Sequence, residues 1–214
     1  DGNANYMWMQ TFWSHLSDVG TASVVMANGA MTSNNKGEKN VREFMVNNSM
    51  IDCIVRLPDK LFLTTGIPAC IFILSKNRDG KDGKHRERKN EILFIDTSKM
   101  GTMESRKLRV FSDDDIDKVA ETYHSWRNLP NDLSARAESR AYENIDGYCY
   151  AATLEEVRNQ DYKLTPGIYV GSEEVADDGI LFEDKMASLQ ATLQEQFAKG
   201  NELQERIVAN FEKL

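Results

Sequence analysis

The sequence predicts an open α/β sheet of which the second half is present, holding one antiparallel strand pair and followed by a long C-terminal helix. Three observations lead there. Helical and strand-like patterns alternate from Tyr6 to Asp96, as in an α/β layer fold. Two apolar runs, Ile51 to Leu57 and Ala69 to Leu74, each have the length of one buried strand. The link between them lacks helical periodicity, so they pair antiparallel, because parallel neighbours need a long crossover. From about Ile180 to Leu214, finally, apolar residues recur at spacings of three and four with Gln and Glu between them.

Taken in order, Tyr6, Met9, Phe12, Trp13 and Leu16 form a helical stripe, with Asn5 placed as an N-cap. The run Ala22 to Ala27, bounded by Gly20 and by Asn28-Gly29, reads as a buried strand ending in a turn. A second helix follows from about Glu38 to Asn47, with Val41, Phe44 and Met45 on one face. This helical crossover allows the strands at Ala22 and Ile51 to be parallel neighbours. After the strand pair come a hydrophilic loop, Asn77 to Asn90, and another strand, Glu91 to Asp96. Ser112 to Asp115 has the form of a capping box and opens a helix whose stripe is Ile116, Val119, Ala120 and Tyr123. Pro130-Asn-Asp marks a turn, and Thr153 to Glu156 is a second capping box. An α/β sheet that begins with a helix lacks its first strands, so the chain is expected to be a fragment of a larger domain.

Composition narrows the function classes. With 41% hydrophobic and 28% charged residues in 214, the chain has the make-up of a soluble globular protein. No apolar run approaches the ~18–20 residues of a membrane helix, so no membrane association is expected. Cys53, Cys70 and Cys149 are odd in number, and two lie inside strand runs. They read as small core residues in a reducing, cytoplasmic setting. No C-x-x-C occurs and the three histidines are scattered, so no metal site is expected. The net charge of −8 argues against a free-standing nucleic-acid binder. The charge is uneven, with seven basic and three acidic residues between Lys76 and Lys89. Such a run is either a solvated loop or a place where phosphate is touched.

A set of ordered motifs then carries a family resemblance. Gly2-Asn-Ala-Asn-Tyr-Met-Trp8, Val25-Met-Ala-Asn-Gly29, Ile51-Asp-Cys-Ile-Val-Arg-Leu-Pro58, Leu61-Phe62, Thr65-Gly-Ile-Pro68, Leu93-Phe-Ile-Asp96 and Leu164-Thr-Pro-Gly-Ile-Tyr-Val-Gly171 follow one another along nearly the whole chain. The chain resembles, in this order of motifs, the modification subunit of type I restriction-modification systems. That family comprises S-adenosylmethionine-dependent DNA adenine-N6 methyltransferases. Ile168 departs from the pattern, which has arginine there. The family's glycine-rich cofactor motif and its catalytic Asn-Pro-Pro-Phe motif occur nowhere in these 214 residues.

The resemblance implies that residues 1–110 form the C-terminal half of a Rossmann-like methyltransferase catalytic domain. Residues 111–171 would be a small α/β extension packed on it, and 172–214 a long helix for subunit assembly. It implies S-adenosylmethionine as cofactor of the intact subunit, with none bound and no activity in this portion alone. DNA, a specificity subunit and a restriction/translocase subunit are the implied partners. Flipping adenine out of a duplex demands a surface for the extruded base to stack on. The resemblance makes Phe62, the only aromatic between Leu57 and Ala69, a candidate for that surface. The bland alternative is a phenylalanine plugging the strand ends. Asn28 is a candidate pocket wall or a plain turn former. Lys36, Lys39, Lys76 and Arg78 are candidate DNA contacts. The seam of Met186, Leu189, Leu193, Phe197, Leu203, Ile207 and Phe211 is a candidate partner surface, while Gly200 could interrupt the helix. A non-catalytic assembly module is the other reading of the chain.

Overall fold

A computed structural model of the chain describes residues 5–128, 141–172 and 182–211. The Pro130 turn expected from the sequence lies outside them. The described chain falls into two units that divide after Glu173.

The first unit is built on a five-stranded sheet of order β1-β3-β2-β4-β7, with β1 Thr21–Ala27, β2 Ile51–Arg56, β3 Ala69–Ser75, β4 Glu91–Asp96 and β7 Cys149–Thr153. β2 and β3 are antiparallel, as their helix-free link dictates. β1 is also antiparallel to β3, in unbroken register from Thr21 opposite Ser75 to Ala27 opposite Ala69. β1 and β2 therefore run in the same direction but are not neighbours, because β3 is inserted between them. This corrects the expectation from the helical crossover. β4 lies parallel to β2, and β7 is antiparallel to β4 at the far side. The carboxyl ends of β1, β2 and β4 thus share one edge of the sheet.

Helices cover both faces. On one, α1 (Asn5–His15) contributes Tyr6 and Met9, α2 (Lys36–Asn47) contributes Met45 and Val46, and α4 (Leu154–Asn159) contributes Leu154 and Val157. They pack on Met26, Ile54, Phe72 and Phe94. On the other, α3 (Asp113–Arg127) lays Trp126 against Cys53, Val55, Leu93 and Ile95. Both predicted capping boxes form: Ser112 with Asp115, and Thr153 with Glu156. Two predicted stripes need correction. Phe44 of α2 is exposed and Arg42 and Val46 are buried instead. On α3, Ile116 is exposed and Trp126 is the buried residue. On α2 the buried face extends to Arg42, which is drawn inside by carbonyls of Ser33 and Tyr162, while Val119 and Tyr123 of α3 still pack on the core.

The second unit is α5, Phe182–Phe211, a helix of 30 residues that is continuous through Gly200. At 1.5 Å per residue it is about 45 Å long. Gly200 has no atom within 4 Å of where a Cβ would stand. Among its described residues none is buried, the apolar seam included.

Candidate nucleic-acid and base-pocket edge

The carboxyl edge of the sheet carries two of the residues the sequence singled out, Asn28 and Phe62. β1 ends at Ala27 opposite Ala69, and β2 at Arg56 opposite Cys70, so Asn28 and the loop after Arg56 leave the sheet at the same level. Asn28 opens a short 3-10 turn, Asn28–Met31. Its Oδ1 is buried and accepts no hydrogen bond among the described residues. A buried carbonyl without a donor costs about 1–3 kcal/mol, so a polar group arriving there would be held.

The Phe62 loop is short and internally tied. Leu57 N–H donates to Ala69 O at 2.9 Å, Thr65 N–H to Phe62 O at 3.3 Å, and Ile67 N–H to Thr65 Oγ1 at 3.1 Å. Lys60 takes a left-handed backbone, φ 59°, to make the turn. Leu61 packs inward on the Val55–Trp126 core, and that choice sends its neighbour outward. Phe62 is 36% exposed, with Leu63 and Ile67 exposed beside it. Phe72, in β3, is by contrast fully buried.

Next along the edge, Arg56 and Asp96 sit opposite each other in the β2–β4 register and pair at 3.1 Å. Gly167 lies close to both: a Cβ there would stand 3.5 Å from Asp96 Oδ2 and 3.6 Å from Arg56 Nη1. The Thr-Pro-Gly-Ile-Tyr block is therefore a clamp. Pro166–Ile168 makes a 3-10 turn, Leu164 N–H donates to Met31 O, and Tyr169 stacks on Phe94 with centroids 4.0 Å apart.

The cationic candidates separate sharply. Lys36 is exposed in the first turn of α2. Lys39 is committed to Asp161, at 2.6 and 2.8 Å from its two oxygens. Lys76 donates to Leu16 O at 2.7 Å, capping the chain after α1, and lies over the Trp13 ring. Arg78 is a correction. It is 1% exposed, pairs with Asp52 at 3.1 Å, and donates to the carbonyls of Ser49, Ile51, Arg88 and Glu91. It is a folding residue with no face toward solvent.

Arg78 belongs to a buried charge cluster that sequence reasoning missed. A bulge between Ile51 and Cys53 sets Asp52 in the β2 interior. Its carboxylate also receives Arg88, at 3.1 and 3.3 Å, and the Tyr123 hydroxyl, at 2.7 Å. Arg86 forks onto Glu91 at 2.6 and 3.0 Å and faces the Trp126 ring. Burial pulls Arg78 down to about 10 against the pull of Asp52, so it stays charged at neutral pH. Burial raises Glu91, but Arg86 and the Trp126 N–H outweigh it and hold the carboxyl below its ordinary value. The basic run of the Asn77–Asn90 loop is thus in large part an anchor for α3. A signal was present: Asp52 stands alone inside an apolar strand run, and a buried carboxylate needs cations.

The N-6 DNA methylase profile matches residues 1–178. The chain belongs to the N-6 DNA methylase family. The type I restriction enzyme HindI methylase subunit of Haemophilus influenzae is 43% identical over 209 residues, covering 98% of this chain and 43% of that protein. The MjaIX methylase subunit of Methanocaldococcus jannaschii is 30% identical over 97% of this chain and 34% of its own length. The chain thus spans less than half the length of either relative. Among solved structures, the type I restriction-modification methyltransferase subunit from Streptococcus thermophilus superposes with a TM-score of 0.63 at 25% identity, over 78% of this chain and 30% of that one. The EcoKI M protein shares the fold, with a TM-score of 0.58 at 16% identity, over 94% of this chain and 44% of that one. This N-6 DNA methylase chain is of the type I restriction-modification methylase subunit family, as its motifs imply.

Proposed function

We propose that this chain supplies the far wall of the base pocket in an S-adenosylmethionine-dependent DNA adenine-N6 methyltransferase, the modification subunit of a type I system. The observation that carries the reading is Phe62, displayed on a tied loop at the carboxyl edge of the sheet. Open α/β sheets bind their ligands at that edge. There Phe62 stacks on one face of an adenine swung out of the duplex, and the unpartnered Asn28 Oδ1 accepts a hydrogen bond at the pocket's side. Stacking of this kind contributes about 1–3 kcal/mol.

S-adenosylmethionine, when bound in the intact subunit, supplies the methyl group. The residues of this chain do not fit it by themselves. The glycine-rich cofactor motif that the resemblance calls for is absent from this sequence. The Asn-Pro-Pro-Phe motif, which by resemblance holds the adenine amino group, is absent from this sequence. Cofactor binding and methyl transfer are therefore assigned to an intact subunit of the relatives' length, and this chain alone is inactive. Its further partners are the specificity subunit and the restriction/translocase subunit. The exposed seam of α5 also favours a second reading, an assembly module that acts without chemistry.

In the intact subunit, assembled with its partners, Phe62→Ala should lower methyl transfer about 5- to 100-fold, the loss of one stacking contact. Phe62→Trp should retain most of it. Unchanged transfer by the alanine variant would remove Phe62 from the pocket.

A further inference from the structure

A short hairpin follows β4. Its strands, β5 Thr102–Met103 and β6 Arg109–Val110, are antiparallel, and it leaves the sheet from the carboxyl end of β4, beside the Phe62 loop. In a protein of net charge −8, the segment 98–110 carries Lys99, Arg106, Lys107 and Arg109 against Glu104 alone. Arg109 is spent on the fold. Its N–H donates to Lys60 O at 2.8 Å, its guanidinium donates to the carbonyls of Met100 and Gly101 at 3.1 Å, and it lies 3.6 Å from Asp59. These bonds fasten the hairpin to the very loop that displays Phe62.

The tip is ordered from within. Glu104 N–H donates to Leu108 O at 2.9 Å, and the Ser105 hydroxyl accepts from the N–H groups of Lys107 and Leu108. Arg106 and Lys107 stand exposed on it, and among the described residues neither has a carboxylate within ion-pair distance. Two unneutralised cations on a preorganised tip, fixed to a displayed aromatic, match a polyanion whose base lies against that aromatic. We propose that this hairpin grips the DNA phosphate backbone flanking the flipped adenine, through Arg106 and Lys107. The inference rests on the base-pocket reading above and adds to it the side from which the duplex arrives.

The test uses the assembled methyltransferase, with equilibrium titrations of a short fluorescein-labelled duplex of mixed sequence over a range of salt. Each phosphate contact adds about 0.9 to the slope of log K against log salt, so Arg106→Gln/Lys107→Gln should make the slope shallower by about 1.8. Affinity should weaken alike for unrelated sequences. A charge-matched control at exposed positions given no binding role, Arg158→Gln/Lys163→Gln, should leave the slope within error. Far-ultraviolet circular dichroism and melting should match the wild type, since both side chains are exposed. An unchanged slope, or an equal loss in the control, overturns the hairpin assignment, and a loss of subunit assembly instead of DNA affinity would make it a protein contact. If Phe62→Ala leaves methyl transfer intact while the hairpin variant loses the slope, the base-wall reading fails and the phosphate grip stands. A wild-type assembly that binds no duplex overturns both.

Discussion

Asp52 is the residue on which the fold's polar interior turns. It is fully buried, and Arg78, Arg88 and Tyr123 converge on it. Taking charges out of water costs several kcal/mol each, so such a cluster holds only while the partners are complete. Asp52→Asn keeps the shape of the side chain and leaves two buried guanidinium groups without their anion. The expected loss is about 3–5 kcal/mol, read as a drop in the denaturation midpoint with little change in slope. A midpoint within error of the wild type would mean that backbone carbonyls alone neutralise the arginines. At this scale the sequence was only half legible. The apolar partners of the strands, Ile54, Phe72 and Phe94, follow from pattern, whereas the use of Arg78 does not, because charge runs carry no record of where a loop folds back. The 36% exposure of Phe62 could not be read from sequence, because it depends on Leu61 being the residue of the loop that meets the core.

Among elements, those with local chemistry were read well and those fixed by long-range pairing were not. The two capping boxes and the antiparallel pair follow from side chains or spacings within a few residues. The insertion of β3 between β1 and β2 depends on which strand edges meet, and nothing local records that. The β5–β6 hairpin leaves no pattern in the sequence because its strands are two residues each, below the length at which alternation is visible. Its geometry nonetheless makes a firm prediction. Gly101 has φ +78°, and a Cβ there would lie 2.7 Å from Val110 O, a backbone atom that cannot move aside cheaply. Gly101→Ala should therefore cost about 1–3 kcal/mol and loosen the hold of Arg109 on the Phe62 loop. Faster amide exchange confined to 101–110 would be its signature, and unaltered exchange there would show that the backbone relaxes freely.

For the whole molecule, the two units divide labour by what they leave exposed. The first buries its apolar residues on both faces of a sheet and presents the Phe62 edge. The second, α5, buries none of its residues, yet Phe182, Met186, Leu189, Leu193, Phe197, Leu203, Ile207 and Phe211 follow one another at three- and four-residue spacing, broken only around Gly200. A helix held by tertiary packing of an apolar face needs that face covered. A seam this narrow suits another helix better than a sheet, as the proposed assembly with a specificity subunit requires. Removing residues from about Ile180 onward in the intact subunit should then abolish stoichiometric co-purification with the specificity subunit. The melting of the remaining domain should stay near that of the parent, because its cores lie within residues 5–172. Milder substitutions of the seam, Leu189→Glu with Leu193→Glu, should do the same without shortening the chain, since each places a charge where a partner's apolar side chain must sit. Stoichiometric recovery of the complex with either variant would refute the partner role of α5.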